Sequence, residues 1–172
     1  EALDKILTRG GSVFIIPNEK MEATFLNTWL INYGISSVRK STIQEDSELQ
    51  NLALIDYKNP FFENVFDEEL TQMQMPKAIA VLNIKSQSES LIKFHNRKAF
   101  LNSYQVKKGN VYLCASPFEE KYTNFYKHGL FVPIMYKIAM KSSAVNTSLA
   151  YHLDQSFLKI KGDFHLNSTQ PY

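Results

Sequence analysis

GGSVFIIP, residues 10–17, sets two glycines ahead of four apolar residues, each β-branched or aromatic. A short apolar run without alternation is the pattern of a strand covered on both faces. It predicts that Val13 to Ile16 lie inside a sheet with helices on either side. Upstream, ALDKILTR (2–9) places Ala2, Leu3, Ile6 and Leu7 on one helical face, and the glycine pair supplies the stop. Helix, glycine turn and buried strand together argue an α/β layer.

Downstream, MEATFLNTWLINYG (21–34) spaces Met21, Phe25, Trp29 and Tyr33 four apart, with Leu26 and Leu30 beside them and Gly34 as terminator. An aromatic stripe at this spacing is read as core. Residues 36–77 are polar and irregular. They hold one candidate strand, LALIDY (52–57), and then KNPFFENVF, where Pro60 breaks the pattern and Phe61, Phe62, Val65 and Phe66 are buried anchors. Three strand-like runs follow, AIAVLNI (78–84), SLIKF (90–94) and AFLNSYQV (99–106), and KKGN leads into a fourth, VYLCASP. Links this short make antiparallel neighbours, so a meander is expected. After Pro117, Leu130, Phe131, Ile134, Met135 and Ile138 form a helical face, with Pro133 tolerable in a first turn. Residues 1–141 read as one α/β domain, and 142–172 as a short β-rich extension or the start of a following module.

With 172 residues and 44% hydrophobic content, the chain can bury a core. Nineteen basic against seventeen acidic residues, with no basic block, argue against nucleic acid. The single cysteine excludes an intrachain disulfide and a cysteine zinc cluster. The start EALDKIL has neither initiator methionine nor signal peptide, and no apolar run approaches the ~20 residues of a membrane helix. The chain is therefore expected to be part of a longer protein that carries its targeting segments elsewhere.

Candidate chemistry is sparse. Cys114 sits within an apolar strand, and LCASP lacks the glycines of a nucleophile elbow, so the expectation is a buried, inert thiol. His95, His128, His152 and His165 show no metal-ligand spacing. His95 is expected in an exposed hairpin turn and His128 near the start of the last helix. The acidic runs Asp67-Glu68-Glu69 and Glu119-Glu120 read as solvated faces, and RGGS is no phosphate loop. No catalytic residue, cofactor site or metal site is expected.

The order of LDKILTRGGSVFIIPN, FLNTWLINYGI, LALIDYKNPFFENVF and GNVYLCASPFEEKYTNFYKHGLFVPIMYKIA resembles the periplasmic portion of large Bacteroidetes membrane proteins. These carry an aerotolerance-regulator-type N-terminal membrane domain, and some also carry a von Willebrand A-like region. The resemblance spans about residues 2–140 and implies a flavodoxin-like, class I glutamine-amidotransferase-like layered sheet with helices on both faces. In active amidotransferases a glycine-flanked cysteine follows the strand equivalent to SVFIIP. Here that turn is Pro17-Asn18-Glu19-Lys20, without thiol or hydroxyl.

The resulting expectation is a non-catalytic extracytoplasmic domain of a membrane-anchored protein. It would act on protein partners in an envelope or oxidative-stress system and reach the membrane only through segments outside this chain. The alternative is a small-ligand-binding or hydrolase-type domain using the crevice at the strand carboxyl ends, with Asn18, Glu19, Ser116, Glu119 and His128 as the pocket groups. An exposed apolar patch around Phe61, Phe62 and Phe66 would mark an interaction surface.

Overall fold

A computed structural model of the chain describes residues 2–43, 47–63, 65–66, 73–85 and 90–142. The elements, in order, are α1 (Ala2–Thr8), β1 (Ser12–Ile15), α2 (Ala23–Asn32), β2 (Val38–Lys40), β3 (Gln50–Asn51), a 3-10 turn (Pro60–Phe62), β4 (Lys77–Ala78) and β5 (Leu82–Ile84). They continue with β6 (Ser90–Lys93), β7 (Ala99–Val106), β8 (Gly109–Cys114), a second 3-10 turn (Phe125–Lys127) and α3 (Phe131–Ser142). The chain is a mixed α/β protein built on a four-stranded sheet of order β1-β8-β7-β6. β1 runs parallel to β8, and β6, β7 and β8 form the expected antiparallel meander.

The meander follows from its turns. Between β6 and β7, Arg97 takes a φ of 65°, Asn96 Oδ1 accepts the Lys98 N–H at 3.0 Å, and the Phe94 N–H donates to the Lys98 carbonyl at 2.8 Å. Between β7 and β8, Lys107 takes a φ of 55°. Gly109 then brings β8 against the turn that enters β1: a Cβ there would lie 2.1 Å from the Gly11 carbonyl oxygen.

The strand covered on both faces is β8, not β1. Val111, Tyr112, Leu113 and Cys114 are all fully buried, while Ser12 to Ile15 are half-buried and Ile16 is 44% exposed. The reason is position. Among the described residues β1 is an edge strand, with β8 on one side only. Register places Phe14 opposite Tyr112, hence on the same face. Ring contacts of Phe61 with Tyr112, Phe14 with Phe118 and Phe118 with Phe131 put the first 3-10 turn and α3 over that face. The other face carries Val111 and Leu113, whose full burial shows that it too is covered.

Three further expectations need correction. The run 78–84 does not enter the meander. It breaks at 79–81, where the Ile79 N–H donates to the Tyr122 carbonyl and the Val81 N–H to that of Ala115, so the segment crosses the end of β8 instead of extending the ladder. Its halves pair elsewhere, β5 with β2 and β4 with β3. LALIDY is not a strand: Leu52 bridges Phe94 and the rest is loop. In α2 the buried side chains are Leu26 and Leu30, whereas Phe25 is 79% exposed.

Phe61 and Phe62 are buried as expected, Val65 and Phe66 only half-buried. The exposed apolar patch that would mark an interaction surface is therefore not found at Phe61 and Phe62. Pro133 lies in the first turn of α3, where its missing N–H leaves no helix bond unmade. Ser142 ends α3, and its Oγ accepts the Ser12 N–H at 2.8 Å. Residues 143–172, most of the expected extension, lie outside the described residues, as do His152 and His165.

Candidate functional site

Because β1 and β8 are parallel, their carboxyl ends open on the same side of the sheet, where open α/β sheets place ligands. The turn after β1 and the segment after β8 meet there. Glu19 Oε2 lies 2.8 Å from Lys121 Nζ, and Glu119 Oε2 lies 4.0 Å from the same ammonium. Lys121 also stands 4.7 Å from the ring centroid of Tyr122. The hydrogen bond from Lys121, helped by one from Tyr122, holds the Glu19 carboxyl below its ordinary range. In turn, the Glu19 contact raises the Lys121 ammonium further above its ordinary value. A lysine so held stays protonated at neutral pH and offers neither a nucleophile nor a base. The group is an exposed ionic latch.

Ser116 and His128 do not join it. Ser116 is fully buried, and its hydroxyl donates to the Ile79 carbonyl at 2.6 Å, so it fixes the crossing segment. His128 Nδ1 accepts the Leu130 N–H at 3.2 Å, which leaves Nε2 to donate to the Gln74 carbonyl at 2.9 Å. That pairing selects the Nε2–H tautomer and ties the start of α3 to the segment before β4. Asn18 is exposed, and its carbonyl accepts the Met21 N–H within the turn. Of the five residues named from sequence, the structure brings Glu19 and Glu119 together around a lysine. The other three go to separate structural tasks.

Cys114 pairs in register with Leu101 in the middle of the sheet, and burial pushes its thiol up to about 12. Such a sulfur is neither ionised nor reachable at neutral pH. Among the described residues, no group of three or more His, Cys, Asp or Glu side chains could hold a metal ion. His95 is exposed in the β6–β7 turn, and its N–H donates to the Asn51 carbonyl at 3.3 Å.

Sequence reasoning missed Lys121 and Tyr122. Glu19 and Lys121 are 102 positions apart, so no local periodicity couples them. It also missed a cleft of about 170 Å³ lined by the loop after β2, β3, the crossing segment with the start of β5, and the β6–β7 turn. Leu82, Phe94 and Ala99 form its buried floor, and Thr42, Glu48, Asn83 and Lys98 stand among its exposed lining. Three separate parts of the chain build it, and no single motif announces it.

No family model and no curated protein matches the chain. Among solved structures, the fold is similar to that of a cytoplasmic protein from Salmonella typhimurium LT2. The TM-score is 0.54 at 13% identity, over 79% of this chain and 57% of that one. The likeness is one of fold, and this chain spans little more than half the length of that protein.

Proposed function

We propose that the chain is a non-catalytic interaction module, an extracytoplasmic α/β domain of a membrane-anchored protein of the aerotolerance-regulator type. It works by holding a protein partner. The envelope context and the amidotransferase-like ancestry come from the order of its sequence motifs; the mode of action comes from β1. The Gly11 carbonyl accepts the Asn110 N–H, while the Ser12 N–H turns the other way to Ser142. By strand alternation the Phe14 N–H and C=O also face away from β8. Neither has a hydrogen-bond partner among the described residues. An apolar, half-exposed edge strand with outward backbone groups is the form that β-strand addition uses. This edge is the observation that carries the proposal.

The alternative of a ligand or hydrolytic centre in the strand-end crevice has weaker support. The Glu19–Lys121 pair spans that place, and Ser116 and His128 are committed elsewhere.

A charge at the end of an edge strand hinders pairing, and Ile16, the residue that follows β1, is exposed enough to carry one. The test is site-specific photo-crosslinking from the β1 edge in the membrane-anchored parent, compared with the same protein carrying Ile16→Lys. The expected result is a discrete crosslinked partner that Ile16→Lys removes while shifting stability by no more than about 0.5 kcal/mol. Arg39→Ala, at an exposed position on β2, should leave the crosslink intact. No crosslink, or one indifferent to Ile16→Lys, would defeat the edge as the binding element. A parent without a membrane tether would defeat the location.

A further inference from the structure

We infer that the open edge of β1 is a docking site for the chain's own segment after α3: residues 149–153, LAYHL, pair with β1 as a parallel strand that a partner strand must displace. This docking uses the same edge as the partner proposal, rests on that reading for its role, and adds its regulation. Residues 143–172 lie outside the described residues, but α3 fixes where they begin. The Ser12 N–H, turned away from β8, donates to Ser142 Oγ at 2.8 Å. Ser142 is the last residue of α3, so the chain leaves the helix beside the amino end of the unpaired edge.

The direction follows as well. α3 begins at Phe131, whose ring meets Phe118 just past the carboxyl end of β8, and it ends at the first residue of β1. It therefore runs back along the sheet against β1 and β8, and a strand entered from its end runs parallel to β1. Parallel neighbours need a crossover of about a dozen residues or more, most often helical. Residues 115–142, with α3 over the Phe14 face, form one between β8 and this position.

Length and pattern select LAYHL. Residues 143–148 separate it from α3, within the ~2–6 residues usual for a helix-to-strand loop. Extended, they reach about 20 Å, far more than the ~4.8 Å between neighbouring strands. The next strand-like run, FLKIK (157–161), would need the much longer loop 143–156. Leu149, Tyr151 and Leu153 alternate with Ala150 and His152, giving one large apolar face and one small or polar face. That alternation suits a strand at the sheet's edge, whereas β8, inside the sheet, is buried on both faces. The pairing would also bring the outward Phe14 N–H and C=O into a ladder.

The test is amide hydrogen exchange and interstrand NOE measurement by NMR on the intact chain, beside Tyr151→Pro, which removes a backbone donor and disfavours the ladder. The Phe14 N–H should be protected, with backbone NOEs from 13–15 to 149–153. In Tyr151→Pro its exchange should quicken about tenfold or more, while the amides of the β7–β8 ladder keep their rates and verify the fold. In the membrane-anchored parent, Tyr151→Pro should raise the yield of the β1-edge photo-crosslink about tenfold, because the tail no longer competes. A Phe14 amide that exchanges freely in the intact chain, or NOEs from another segment or a second copy, overturns the docking and leaves the partner proposal standing. The expected NOEs with a crosslink indifferent to Tyr151→Pro overturn the regulatory role. No crosslink in either protein overturns the partner reading and the displacement with it, while the NOEs still establish the pairing.

Discussion

Gly109 shows how much of this fold depends on the space of a single atom. Its φ lies outside the left-handed region, so its requirement is not conformational. A Cβ would sit 2.1 Å from the Gly11 carbonyl oxygen and 3.1 Å from the Leu7 Cα, both backbone atoms that cannot swing aside. Gly34 is the opposite case: its φ is +70°, and nothing lies within 4 Å of where a Cβ would go. Gly109→Ala must therefore push α1 and the β1 entry off β8 and should cost about 3 kcal/mol or more. Gly34→Ala should cost only the left-handed penalty, about 1–2 kcal/mol. Urea midpoints measure both. Alkylation of Cys114 gives an independent readout, because its buried thiol reacts only when the sheet opens. A Gly109→Ala protein with the wild-type midpoint would mean that the close approach at the β8 start is not a constraint.

At the scale of elements, α2 separates spacing from burial. Phe25 and Leu26 are adjacent, yet Phe25 is solvent-facing and Leu26 buried, because the helix turns its Leu26–Leu30 side inward. Asn27 fixes that rotation: its side chain accepts the Val38 N–H at 2.7 Å and donates to the Val38 carbonyl at 2.9 Å, binding α2 to β2. Leu30→Ala should cost about 2–5 kcal/mol and Phe25→Ser less than about 0.5 kcal/mol, as read from thermal or urea unfolding. If Phe25→Ser were the costlier change, the helix would be rotated from the orientation described.

The same helix shows what sequence can and cannot supply. Its existence and its Gly34 stop are local properties, legible from period and terminator; its rotation is set by β2, a non-local partner. The meander was equally legible, since its turns are written in HNRK and KKGN. The edge position of β1 was not, because an apolar run reports what a strand is made of and not how many neighbours it has. The strand-end latch and the cleft were hidden for a related reason. Each joins residues from segments far apart in the chain, which only the finished fold brings together.

For the molecule as a whole, two ion pairs staple the α1–β1 unit to the body. At the amino end Asp4 pairs with Lys107 and accepts the Tyr33 hydroxyl at 3.2 Å; at the carboxyl end Glu19 pairs with Lys121. The bond from Lys107 holds the Asp4 carboxyl below its ordinary 3.8, and that from Lys121 holds Glu19 below its ordinary 4.5. A carboxylate whose pKa is depressed by folding contributes stability that is fully present above its unfolded value and lost as pH falls through its folded value. Both staples should therefore hold at neutral pH and fail on acidification below those two values. Both pairs are exposed and screened by salt, so raising ionic strength should shrink the effect. The measurement is melting temperature against pH at low and high salt, for the wild type and for Asp4→Asn with Glu19→Gln. The double variant should melt lower at neutral pH, show a shallower acid limb, and respond less to salt. An acid limb of unchanged steepness would assign acid sensitivity to other carboxylates and leave the α1–β1 unit held by the β1–β8 ladder, the Ser12–Ser142 bond and the packing of Leu7, Phe14 and Gly109.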